Sequence, residues 1–66
     1  MNARLSYNIA GAAEHTGLGE QRLARAIRAG ELRARKSNRA DNGDPVGHYV
    51  ILAADLADFL ESLPAA

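Results

Sequence analysis

At 66 residues with no cysteine, the chain has material for one small hydrophobic core and none for a disulfide or a cysteine-based zinc site, which suits a reducing compartment. Its 47% apolar fraction overstates that core because 14 residues are alanine, and no apolar run approaches the ~20 residues a membrane span needs. Formal net charge is zero but unevenly spread: residues 20–40 carry seven cationic and two anionic side chains, whereas residues 41–66 carry five anionic and none cationic.

In chain order, residues 1–4 read as a loose end. Asn8 is then suited to cap a helix, since its side-chain oxygen can accept from the free amides of a first turn, and Ile9, Ala12 and Ala13 supply a compact apolar face. The first helix is predicted over residues 9–16. Gly17 follows as a left-handed terminator, Leu18 as an inward plug and Gly19 as a backbone cap for a second helix over residues 20–29. In that helix Leu23 and Ile27 share one face with Ala24 and Ala26 at its margins, while Gln21, Arg22, Arg25 and Arg28 fall on the other. Two short helices so close in sequence must cross steeply, the arrangement of a helix-turn-helix.

Beyond Gly30, Leu32 and Ala34 alternate with Arg33 and Arg35, which predicts a short strand with one buried face. Residues 36–47, KSNRADNGDPVG, hold Asn-Gly and Asp-Pro pairs and almost no large apolar side chain, so they are predicted to form a loop. A second strand is expected over residues 48–52, where Tyr49, Val50 and Ile51 favour extended backbone. The last helix is predicted over residues 53–62. It sets Leu56, Phe59, Leu60 and Leu63 at helical spacing, carries Asp55 in its first turn and stops before Pro64. Leu56, Phe59 and Leu60 are expected to pack against Leu23 and Ile27, and Tyr7 and Tyr49 to belong to the core.

The order helix, helix, strand, strand, helix, with Ala12, Ala13 and Glu14 in the first helix, AIRAGELRAR at residues 26–35, and the closing Tyr49, Ile51, Asp55, Leu56, Phe59, Leu60 pattern, resembles the excisionase-type winged helix-turn-helix domains related to the DNA-binding module of the MerR regulators. The likeness covers nearly everything from residue 5 to 63. It implies a small, mainly helical α+β winged helix-turn-helix domain, whose second helix reads DNA and whose hairpin is a wing. It also implies a phage excisionase or recombination directionality factor, which bends attachment-site DNA and assists integrase in excision. Three positions depart from the family pattern: Gly11 and Gly19 replace an acidic residue and a hydroxyl cap and should cost stability, and Leu52 stands where a hydroxyl would precede the last helix.

On that reading Gln21, Arg22 and Arg25 are the candidates for base edges in the major groove, because amide and guanidinium groups can make paired hydrogen bonds to purines. Arg28 would hold phosphate. Arg35, Lys36 and Arg39 would set the wing against the backbone or minor groove, with Asn38 and His48 as lesser contacts. Double-stranded DNA is the expected partner, with integrase and further copies of the chain in tandem on DNA beside it, and the expected location is the cytoplasm of a bacterial host. No metal, cofactor, membrane partner or catalysis is expected: His15 and His48 have no carboxylate at a spacing that completes a metal triad, and Ser6, Ser37 and Ser62 lack a base and an oxyanion arrangement. Two rival readings are a transcriptional regulator of the same fold and a protein-interaction adaptor whose alanine-rich surface or acidic last helix docks a partner.

Overall fold

The computed structural model describes residues 4–66. Its elements run β1 (Ser6–Tyr7), α1 (Ile9–Thr16), α2 (Glu20–Arg28), β2 (Arg35–Arg39), β3 (Pro45–Leu52) and α3 (Ala53–Glu61). The strands form one antiparallel sheet in the order β1-β3-β2. Three helices and a three-stranded antiparallel sheet make this a small α+β protein.

The first helix begins and ends as its residues dictate. Asn8 is extended and its Oδ1 accepts from the Gly11 N–H at 2.7 Å, and Gly17 closes the helix at φ 80° with its N–H on the Ala13 carbonyl. The Thr16 hydroxyl donates to the Ala12 carbonyl at 2.8 Å and accepts from the Leu18 N–H at 3.2 Å, tying both ends of the three-residue turn that leads to α2. Leu18 packs against the core as expected of a plug. Gly19 caps α2 with backbone alone.

The far end of α2 corrects one expectation. Gly30 lies at φ 79°, its N–H bonds to the Ile27 carbonyl, and the Glu31 and Leu32 N–H groups both reach the Ala26 carbonyl at 2.8 and 3.2 Å. This is a Schellman-type ending. It drives Leu32 back into the core, where it is 1% exposed, and consumes the backbone donor that a strand would need. Residues 32–34 therefore keep the predicted in-out alternation without being a strand, and pairing starts only at Arg35.

The residues predicted as a loop, 36–47, are mostly hairpin. β2 pairs with β3 through Arg35 opposite Val50, Lys36 opposite Tyr49, Asn38 opposite Val46 and Arg39 opposite Pro45, leaving residues 40–44 as the turn. None of residues 33–50 is buried, so the ladder exists without the apolar alternation by which strands are recognised in sequence. Between Lys36 and Asn38 the register slips, because β3 inserts an extra residue there: Gly47, at φ 96°, and His48 together face Ser37, whose Oγ accepts from the His48 N–H at 3.3 Å. The arm this creates gives the molecule extents of 45 × 33 × 17 Å. Its radius of gyration is 12.5 Å, above the roughly 11 Å of a compact chain this long.

Strand β1 is an element that the sequence pattern does not predict. Its two residues pair Ser6 with Leu52 and Tyr7 with Ile51, and the Ala53 N–H extends the ladder to the Leu5 carbonyl at 2.9 Å. β3 is thereby the central strand.

Tyr7, Ala12, Leu23, Ala26, Leu32, Ile51, Leu56 and Phe59 form the core. Leu56 and Phe59 of α3 belong to it as predicted, but Leu60 is 38% exposed, and Ile27 is only partly buried at the margin. Tyr49 also falls outside the core: it lies half-buried beneath the Lys36 ammonium. Leu52 caps α3 without a side-chain bond, leaving Asp55 as the first-turn carboxylate, and the Ser62 hydroxyl donates to the Phe59 carbonyl at 2.6 Å where the helix ends. Of the residues read as a loose start, 1–3 lie outside the described residues, whereas Arg4 places its guanidinium over the Tyr7 ring.

Candidate nucleic-acid interface

The outer surface of α2 follows from its inner one. Burying Leu23 and Ala26 leaves Gln21, Arg25 and Arg28 fully on the solvent side, spaced four and three residues apart and so stacked within one stripe of the helix. Among the described residues neither arginine makes an ion pair, a hydrogen bond or an aromatic contact. Both also stand in the last turn of α2, where a cation interacts favourably with the helix carbonyl end.

Arg22 has a different situation. It sits at the flank of the same helix, with its guanidinium 5.4 Å from the centre of the Phe59 ring and 3.8 Å from the Glu31 carboxylate, and its side chain is 37% exposed. It joins α2 to α3 and to the turn after α2.

The hairpin sorts its polar residues likewise. Lys36 is exposed along its length, yet its Nζ donates to the Gly47 carbonyl at 3.1 Å and lies 4.2 Å from the centre of the Tyr49 ring, so the ammonium is folded onto its own sheet. Asn38 donates from Nδ2 to the Ser37 Oγ at 3.2 Å. His48 occupies the bulge with an exposed ring. Arg35 and Arg39 are exposed and without a partner among the described residues, and strand alternation along the unbroken β2 puts them on one face, roughly 13 Å apart. Lys36, Ser37, Asn38, Arg39, Gly43 and Pro45 border an open depression of about 400 Å³.

Arg33 stands outside the predicted set of contact residues. It is exposed between α2 and β2, within the same cationic run, and alternation with Leu32 and Ala34 was signal enough that its side chain faces solvent. Counting it, five arginines without an ion-pair partner among the described residues line the chain from α2 into the hairpin: Arg25, Arg28, Arg33, Arg35 and Arg39.

Within this run the carboxylates are Glu20, in the first turn of α2, and Glu31, which pairs with Arg22; most of the others lie apart from it. Asp55, Asp58 and Glu61 are on α3, and Asp41 and Asp44 are at the hairpin turn. Among the described residues no three His, Asp or Glu side chains are grouped to hold a metal ion, and no helix is long and apolar enough to cross a membrane. Comparison with protein-family models, with curated proteins and with solved structures finds no match.

Proposed function

We propose that this chain is a sequence-specific double-stranded DNA-binding protein of winged helix-turn-helix build, with α2 as the reading helix and the β2–β3 hairpin as the wing. The observation that carries the reading is the outer stripe of α2, where Gln21, Arg25 and Arg28 stand exposed and unengaged directly opposite the buried Leu23 and Ala26. A stripe of this kind offers paired donors to purine edges from Gln21 and Arg25, with Arg28 toward phosphate. Local field governs attraction to phosphate, so five arginines in one stretch act on DNA although the whole chain is neutral. Arg22 contributes to reading only by leaving Phe59 and Glu31, and in the free protein it supports the position of α2. Of the processes such a protein serves, excision assisted by integrase is the one favoured by the resemblance of the chain to excisionase-type domains, with double-stranded DNA, integrase and neighbouring copies as partners.

The test is competition binding at two salt concentrations. Arg25→Ala is expected to weaken a selected site by ~1–3 kcal/mol and to relax sequence preference. Arg39→Ala should weaken all duplexes alike and flatten the salt dependence by about one unit, while Lys36→Ala does so less, because its ammonium is already bonded to the Gly47 carbonyl. A protein that binds no duplex at low salt overturns the reading. The exposed Ala54, Ala57 and Leu60 beside the α3 carboxylates would then mark it as an adaptor.

A further inference from the structure

The hairpin is polarised along its own length. Its shaft carries Arg35 and Arg39, both without an ion-pair partner among the described residues, whereas its turn carries Asp41 and Asp44, both exposed. The turn is held firmly: the Ala40 N–H bonds to the Asp44 carbonyl and the Gly43 N–H to the Ala40 carbonyl, each at 2.8 Å. Asn42 completes it, with its Oδ1 accepting from the Asp44 N–H at 3.0 Å and its Nδ2 donating to the Asp44 carboxylate at 3.1 Å. Gly43 supplies the positive φ of 92° that this geometry requires. The turn backbone therefore places both aspartates at the end of the arm, with the Asp44 carboxylate held by Asn42.

Resting on the DNA-binding reading, we propose that Asp41 and Asp44 are specificity determinants that act by repulsion: the hairpin docks on duplex DNA by its arginine shaft, and its tip penalises any duplex whose backbone passes close to the turn. Asp41 lies two residues beyond Arg39, and Asp44 sits across the hairpin from Ala40, so both Cα atoms are within roughly 7 Å of that of Arg39. A phosphate that Arg39 grips on the tip side would then lie on the order of a Debye length from both carboxylates, about 10 Å at 0.1 M salt. At such range in water each like-charge pair weakens binding by about two-fold before screening, and the two together by about four-fold. Sites whose backbone bends away from the tip escape the penalty, and random duplex does not. Discrimination then comes from a clash with the wrong partner as well as from contacts with the right one.

The experiment measures binding of a 25-base-pair random-sequence duplex by the parent chain, by Asp41→Asn, by Asp41→Asn/Asp44→Asn and by Arg39→Ala, at about 50 and 300 mM salt. Asp41 accepts no hydrogen bond among the described residues, and an asparagine at position 44 keeps an oxygen for Asn42 Nδ2, so amide chemical shifts of the arm should show the turn intact. The single variant is expected to bind random duplex about 1.4-fold more tightly at low salt and the double variant about two-fold, with the gain fading at high salt. Unchanged or weaker binding by the double variant, alongside weakened binding by Arg39→Ala, overturns the tip proposal and leaves the DNA-binding reading standing. Absence of duplex binding by the parent overturns both.

Discussion

Leu23 and Leu60 show how much a single position depends on where its helix face ends. Both are leucines at helical spacing with other apolar residues, yet Leu23 is fully buried and Leu60 is 38% exposed. Leu23→Ala removes contacts on every side and is expected to cost ~2–5 kcal/mol, enough to unfold a domain this small, whereas Leu60→Ala should stay within about 1 kcal/mol. Urea denaturation of both variants separates them, and equal midpoints would contradict the packing. Alanines carry more of this core than their size suggests. Ala12 and Ala26 are wholly buried, and having only a methyl each they fit where α1, α2 and the turn after α2 come together. The glycine at position 11 has a local reason: a Cβ there would stand 3.0 Å from the Asn8 oxygen that caps the helix.

At the scale of elements, the hairpin is the part whose stability is least tied to the core. Beyond Ile51 at its base it contains no buried side chain, so the ladder from residue 35 to 50 rests on backbone pairing, the Lys36 tether and the bulge. Gly47 is the weak point. Its φ of 96° disfavours any other residue, and a Cβ would overlap the Ser37 Oγ that receives the His48 N–H. Gly47→Ala is expected to strip hydrogen-exchange protection from the amides of residues 36–39 and 45–49 while amides around Leu23 and Leu56 keep theirs. Adding Ser37→Ala should restore part of the loss, because it removes the overlap but not the φ strain. Uniform loss of protection across the protein would mean that the arm and the core open together.

For the molecule as a whole, the governing feature is the separation of charge: the cationic run from α2 into the hairpin, and carboxylates on α3 and at the hairpin tip. A single domain of this size covers a short stretch of duplex, so an excisionase role requires several copies to share the elastic cost of bending, of order 1–6 kcal/mol for 40–90° over 20–30 base pairs. Purified protein, integrase and both forms of the attachment sites should give stimulated excision and suppressed integration. Unchanged recombination together with occupancy of a promoter would favour the regulator of the same fold.

The sequence alone determined what is local. Asn8, Gly17 and Gly19 stand directly beside the helix ends they mark, because capping and left-handed termination depend on one residue and its neighbours in the chain. The outward stripe of α2 was equally legible, since a helix that buries Leu23 has no freedom in where Gln21, Arg25 and Arg28 go. Only the tertiary structure decided the rest. β1 has two residues, too few for any period, and exists because β3 offers it an edge. The outer part of the hairpin, residues 36–47, buries no side chain on either face, so its pairing leaves no hydrophobic alternation in the sequence. Which cations are free was also a matter of neighbours: Arg22 and Lys36 look like Arg25 and Arg39 in the chain, but Phe59, Glu31, Tyr49 and the Gly47 carbonyl, remote in sequence from at least one of them, engage the first pair and leave the second to solvent.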